Sequence, residues 1–374
     1  MAERVRFWCW RGLALVVGAA TVGLGVAPYA VAARRDSPPS RTYGLPPTAA
    51  GVIHRLTPEQ TQVVTPAGAR GLDVSHWQKA IRWSRVAAAG YRFVWAKASE
   101  GRSFVDPRYS ANRRGAHAVG MRVGGYDFAR PSGPTSAAAR RRGAAEASFF
   151  LHVTRPRLGQ LRPALDMETT GGLGPARLSA WVQGWVVTVK RRLGYEPMIY
   201  ASPDFWQSAL ADTSTFAEEG ARLWQAQWTS EPPTPAADDW DGRGWTAWQW
   251  SDCGGVPGIR GCVDMDVANP TGGLSGLVMG APRNRVLPTA TGIMKAGHRL
   301  RAHIGAWGGR MPIRFGVRWS RCDGDGNHCH GEAMGPRHRL TDLDAGHTIR
   351  IVVNAVNRYG QTWVEGPPTP PITG

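Results

Sequence analysis

Asp166 and Glu168 stand two residues apart, between an apolar lead-in, Arg162-Pro163-Ala164-Leu165, and a turn that ends in Gly171-Gly172. In a strand, residues at i and i+2 point to the same side, so the two carboxyls are expected to share one face. Like charges that close push their proton affinities apart, leaving one acid protonated near neutral pH while its neighbour is ionised. Acid-catalysed cleavage of a glycosidic bond needs that division of labour. A solvated strand end is the commoner meaning of an isolated D-x-E, so the elements around it must decide.

Those elements alternate. Short apolar runs at 71–75, 92–97, 121–128, 163–168, 197–201, 223–228, 245–250 and 262–267 read as eight strands. Helical spacing appears at 83–89, 107–118, 136–153 and, most clearly, in the stretch opened by Pro175, where Leu178, Trp181, Val182, Trp185, Val189 and Leu193 recur before Gly194. Eight strands, with helices mainly after the first five, predict an α/β, TIM-like barrel with an irregular final third. Chemistry in such barrels sits at the C-terminal ends of strands. Asp73, Glu100, Asp127, Asp166, Glu168 and Asp264 all fall at or just beyond predicted strand ends, which implies an acidic cleft. Trp77, Trp95, Tyr126, Phe128, Tyr200, Trp206, Trp224, Trp228, Trp248 and Trp250 fall near the same ends. Aromatic faces stack on the C–H faces of sugars, though core packing is the commoner fate of any one of them.

The first 32 of the 374 residues read as an export signal: a basic start, an apolar stretch from Leu13 to Ala27, and Ala30-Val31-Ala32 as a small-residue cleavage pattern. A retained membrane anchor is the competing reading, disfavoured by the short, glycine-rich run. Residues 33–67 are rich in Pro, Ser, Thr and Arg and read as a linker. The formal charge is +17; cleavage would remove three arginines and one glutamate, leaving +15. Such a balance suits an anionic polymer, and after export the bacterial wall is a better partner than nucleic acid. Four cysteines would remain. Of three possible connectivities, the local pairs Cys253–Cys262 and Cys322–Cys329 are favoured.

Residues 274–285 form a second linker. From Leu287 the period becomes two, through Leu300/Ala302/Ile304, Phe315/Val317/Trp319 and Ile349/Ile351/Val353/Ala355, which predicts a small all-β sandwich over 286–374. Asp323-Gly324-Asp325-Gly326-Asn327-His328 opens like a calcium loop, but His328 stands where such a loop needs glycine and Met334 where it needs glutamate. A tight turn closed by Cys322 and Cys329 accounts for it better. No metal or cofactor is expected.

Gly71-Leu72-Asp73-Val74-Ser75-His76-Trp77-Gln78, followed by Phe93 to Gly101 with Phe104 and Asp106, resembles the opening signature of glycoside hydrolase family 25, the Chalaropsis-type lysozymes or N-acetylmuramidases. The resemblance runs on through Tyr126 to Pro131, the D-x-E strand, Pro197-Met198-Ile199-Tyr200, Leu223 to Ala226, Trp248-Gln249-Trp250 and Val263-Asp264, covering about residues 69–270. It implies a (β/α)5β3 barrel over 68–273 that cleaves peptidoglycan between N-acetylmuramic acid and N-acetylglucosamine with retention. By the same resemblance Glu168 is the general acid/base and Asp166 its ionised partner, with Asp73 and Asp264 orienting that pair. Glu100 matches an acid also assigned to catalysis in the family, and Tyr126, Asp127, Tyr200, Trp224 and Trp248 are expected to bind substrate. Two departures stand out: Lys79 after Gln78, and Asp127 where histidine is expected in many members. The C-terminal part resembles, more weakly, Ig-like modules of actinobacterial surface proteins. The whole implies a secreted, wall-associated monomer that acts on peptidoglycan and can also meet anionic wall polymers. A wall-binding protein on an inactive barrel and a chitinase-like glycosidase are the competing readings. Intact Asp73, Asp166, Glu168 and Asp264 count against the first. The absence of a longer D-x-x-D-x-D-x-E strand counts against the second.

Overall fold

The computed structural model describes residues 66–374. The expected export signal and all but the end of the expected 33–67 linker lie outside the described residues. Within them the chain runs β1 (Arg70–Val74), α1 (Trp83–Ala88), β2 (Phe93–Glu100), β3 (Phe104–Val105), α2 (Tyr109–Ala118), β4 (Arg122–Phe128), α3 (Ser136–Thr154), β5 (Ala164–Asp166) and α4 (Pro175–Leu193). It continues with β6 (Met198–Ala201), α5 (Pro203–Leu210), α6 (Thr215–Glu218), β7 (Arg222–Ala226), β8 (Ala247–Gly254), β9 (Val263–Ala268) and α7 (Gly273–Leu277).

Hydrogen bonding closes eight of these strands into a ring, β1-β2-β4-β5-β6-β7-β8-β9 and back to β1, with β3 as a short antiparallel flap on β2. Neighbours from β1 to β8 are parallel; β9 runs antiparallel to both β8 and β1. The C-terminal ends of seven strands therefore share one rim. A helix follows each of β1, β3, β4, β5 and β6. The two longest, α3 and α4, approach closely because Gly143 and Gly184 face each other's backbone: a Cβ at either would collide with a carbonyl of the opposite helix.

Two apolar cores result. Outside the ring, Trp181, Trp185, Phe150 and Trp206 pack with outward-facing strand residues such as Leu72, Val94, Leu165 and Ile199. Inside it, Trp95 and Trp224 stack at 4.4 Å and, with Phe93, Ala164 and Met198, fill the lower half. Trp95 donates its indole N–H to the Arg162 carbonyl at 3.0 Å, and the buried Arg162 guanidinium reaches the Glu196 carbonyl at 2.7 Å. The barrel is thus a plugged cup, open only at the acid-bearing rim.

Beyond α7 the chain is all β in three small antiparallel sheets. Leu300, Val317, Trp319, Leu340, Ile349, Ile351 and Val353 form their shared core. The predicted alternation is visible there, except that Phe315 is largely exposed. This region abuts the barrel: Arg122 reaches the Tyr359 carbonyl at 3.2 Å, the Ser275 hydroxyl donates to the Gln361 carbonyl, and Asn357 donates to the Gly280 carbonyl at 2.7 Å. Both local disulfides, Cys253–Cys262 and Cys322–Cys329, are present. The 323–328 turn spends its polar groups on itself, since Asp323 accepts from the Asn327 amide at 2.6 Å and contacts the His328 ring at 2.8 Å.

Candidate active site

β5 ends at Asp166, yet its side-chain alternation runs on for two residues. The Met167 amide donates to the Tyr200 carbonyl at 2.9 Å, which keeps the backbone extended. Met167 is accordingly buried in the outer core, and Asp166 and Glu168 both turn inward. The chain then reverses at Gly171, whose φ of +57° and contact with the Pro131 carbonyl leave no room for a side chain.

Asp166 and Glu168 are hydrogen-bonded to each other at the rim. Asp166 is buried, and its Oδ1 has no protein partner. Glu168 is half-buried, nearer the opening. Burial, then repulsion from Glu168, pushes the Asp166 carboxyl well above the usual range. Burial raises Glu168 to about 7; the hydrogen bond with Asp166 works against that rise and the charge of Asp73 adds to it, so at rest the proton favours Asp166, the partner expected to be ionised. The pair therefore holds one proton between two carboxyls near neutral pH, and its titration belongs to the pair.

Antiparallel register sets Asp73 on β1 directly opposite Asp264 on β9, and the two carboxyls are hydrogen-bonded. Burial lifts Asp73 to about 6, while Gln249 and Asp264 as hydrogen-bond partners hold it from going higher. Asp264 is raised by burial and then by Asp73. Gln249 ties the site together: its Nε2 donates to Asp73 Oδ2 at 2.8 Å, and its Oε1 accepts from the Tyr200 hydroxyl at 2.9 Å and the Trp228 indole at 3.0 Å. Trp228 is 43% exposed and lies beyond the end of β7, which places an aromatic face at the opening.

Glu100 sits on the same rim in a different state. Lys97 Nζ lies 2.6 Å from its Oε2, and Arg130 Nε lies 2.8 Å from its Oε1. Partial burial pushes its carboxyl up, but the two cations outweigh that and hold it below the usual range. It is an ionised anchor for Lys97, whose charge also favours ionisation of Asp166 and Glu168.

Five acids expected at the site, Asp73, Glu100, Asp166, Glu168 and Asp264, thus stand at one opening. Of the five expected substrate contacts, Tyr126 and Tyr200 face the acids. The other three do not. Asp127 follows Tyr126 in β4 and must point the opposite way. It is fully buried against the helices, accepting from Ser99 Oγ at 2.6 Å and Trp185 Nε1 at 2.8 Å. Trp224 points inward but lies in the floor, 1% exposed, donating to Asp266 at 2.8 Å. Trp248 is outward on β8, packed on Val267. Sequence reasoning missed Gln249, hidden between two tryptophans, and Asp266, a buried acid two residues from Asp264 on the same inward face. The D-x-D spacing in β9 carried the same i, i+2 signal as the D-x-E pair.

A ring of strands whose rim carries two hydrogen-bonded carboxyl pairs over an aromatic floor is the working end of a glycoside hydrolase. The family model for glycosyl hydrolases family 25 matches residues 72–259, and the chain belongs to that family. It is 31% identical over 269 residues to lysozyme M1 of Streptomyces globisporus, covering 67% of this chain and 87% of that protein. It is 29% identical to the N,O-diacetylmuramidase of a Chalaropsis species, over 54% of this chain and 96% of that one. Among solved structures, the bacterial lysozyme from Streptomyces coelicolor superposes with a TM-score of 0.51 at 31% identity, over 57% of this chain and 96% of that chain.

Proposed function

We propose that the chain is an exported N-acetylmuramidase that hydrolyses the β-1,4 bond between N-acetylmuramic acid and N-acetylglucosamine in bacterial peptidoglycan, with retention at the anomeric carbon. The observation that carries this reading is the Asp166–Glu168 pair, hydrogen-bonded and with both carboxyls raised. Glu168, nearer the opening, gives its proton to the glycosidic oxygen as the bond breaks. Asp166, freed of the shared proton, faces the positive charge that develops at the anomeric carbon. Glu168 then takes a proton from the attacking water, which restores the pair. Asp73 and Asp264 hold a second proton beside them and keep Glu168 from ionising early. Tyr200 and Tyr126 line the wall of the cleft, and Trp228 offers a stacking face to the sugar.

The architecture that accompanies this reading is a (β/α)5β3 catalytic barrel over 68–273 and an Ig-like module over 286–374 that serves the wall rather than the chemistry; the stretch 274–285, expected as a linker, is instead built into the barrel, with Leu277, Val278 and Ala281 buried in its inner core. The signal at 1–32 and the linker at 33–67 would deliver the enzyme outside the cell. Mass spectrometry of the products from purified peptidoglycan, with chitin as control, tests the reading. Muropeptides with reducing N-acetylmuramic acid ends are expected. Products from chitin but none from peptidoglycan would favour the chitinase-like alternative, and no products from either would leave a wall-binding barrel.

A further inference from the structure

The outer face of one C-terminal sheet carries a charge pattern that the barrel chemistry does not use. Strands Thr289–Thr291, Arg299–His303 and Arg337–Arg339 pair side by side, with Arg299 directly opposite Arg339 and Arg301 directly opposite Arg337. Between them Leu300 and His338 turn inward, His338 stacking on Trp319 at 5.5 Å, so all four arginines must point out. Each of the four is exposed. Among the described residues none of them has an ion-pair partner, although Arg321, Arg283 and Arg130 do. Like charges set directly opposite on antiparallel strands oppose folding. Two such pairs in adjacent registers make a rectangle of guanidinium groups, spaced about 5 Å across the strands and about 7 Å along them.

We infer that this face is a docking surface for a linear phosphodiester polymer of the bacterial wall. Guanidinium groups bind phosphate oxygens in a forked, two-bond geometry, and the bound polyanion would supply the counter-charge that the protein itself withholds. The remaining outward positions of the three strands hold Thr289, Thr291 and His303, the last bonded to Thr291 at 2.9 Å. They supply hydroxyl and imidazole groups for phosphate but no Trp, Tyr or Phe on which a nucleobase could stack, which disfavours single-stranded nucleic acid. The choice of a wall polymer rests on the muramidase reading; the arginine array does not.

The full chain and its R299Q/R301Q/R337Q/R339Q variant are compared for binding to purified walls that retain their phosphodiester polymer, and to the same walls after acid hydrolysis of the phosphodiesters. The slope of log affinity against log salt should fall by roughly 3 in the variant, from four lost contacts on a single-chain polyanion. Hydrolysed walls should lose most of the binding by the wild-type chain, and R299Q/R339Q alone should show about half that fall in slope. Changing four exposed helix arginines of the barrel, Arg141, Arg142, Arg191 and Arg192, to Gln alters the net charge equally and should leave most of the binding intact. Equal binding by the quadruple variant and the wild type would overturn the site. Equal losses from the helix set would reduce it to net charge. Equally tight binding of a single-stranded DNA oligonucleotide would overturn the choice of partner. Cleavage of soluble glycan fragments should match between the wild type and the sheet variant; absence of cleavage in both would fail the muramidase reading while leaving the binding result standing.

Discussion

Replacing Glu168 with Gln should move activity and stability in opposite directions. The amide keeps the shape of the side chain but cannot deliver a proton. Loss of acid–base assistance costs about two to four powers of ten in turnover, or about 3–5 kcal/mol of barrier. Stability follows from the raised proton affinity. Within the pair it shares with Asp166, Glu168 is raised to about 7 in the fold, against 4.5 for an unperturbed glutamate. The folded chain therefore holds this proton more tightly than the unfolded one. That contribution is complete below pH 4.5 and is lost as the pH rises through 7. At pH 8 the wild type bears a penalty on the order of 2–3 kcal/mol that the amide escapes, so the melting temperature of E168Q should rise by roughly 4–8 °C. Glu100 gives the contrast, because Lys97 and Arg130 lower its proton affinity. Its contribution is present above the unfolded value and fades as the pH falls, so E100Q should melt slightly lower at pH 8 and lose less activity. The assays are reducing-end release from soluble glycan and calorimetry between pH 4 and about 9. Near-normal turnover by folded E168Q would refute the assignment of the acid. A melting temperature that falls at pH 8, as in E100Q, would refute the burial argument.

Gln249→Leu removes the donor to Asp73 and the acceptor for Tyr200 and Trp228. The acid limb of the pH–rate profile should climb by on the order of one unit, and Trp228 fluorescence should become more open to a soluble quencher. Ending the chain after Gly280 strips Tyr359 from Gly159 and Gly280 and removes the Gln361 carbonyl from Ser275. Cleavage of soluble fragments should persist while the melting temperature drops; a folded product without activity would show that the C-terminal sheets belong to the catalytic unit.

The acids were legible in the sequence as a set: a solvated strand end accounts for any one of them, but six at the ends of eight predicted strands imply a shared cleft. Asp73 and Asp166 lie near the ends of β1 and β5, Asp264 lies at the start of antiparallel β9 and so on the same rim, and the i, i+2 spacing placed Asp166 and Glu168 on one face even though β5 itself stops at Asp166. Parity was harder to read. Trp248-Gln249-Trp250 reads as an aromatic motif, but regular pairing of Trp248 with Val267 and Gln249 with Asp266 turns the glutamine in, and the irregularity that follows at Trp250 leaves both tryptophans in one cluster on the outer face. A one-residue slip reverses every side chain of a strand, and no local pattern reports it where both faces are apolar. Depth along the barrel axis was equally hidden: Trp224 faces inward, as a substrate contact must, yet it lies beneath the acids. Asp127 was misplaced for a simpler reason, since adjacent strand residues cannot both face the cleft.

The stacked pair Trp95–Trp224 and the Arg162 plug leave the acids nearly without solvent from below. Water reaches them from one side, and that side is the one a glycan must occupy. Seating the sugar therefore strips away the last dielectric that favours ionisation, just as the leaving oxygen comes within reach. The empty cup and the filled cup are different acids: the first exchanges its proton with bulk solvent, and the second retains it until a sugar oxygen is the nearest base. Timing of the proton transfer is thus set by occupancy, through the shape of a barrel that drains at one end only.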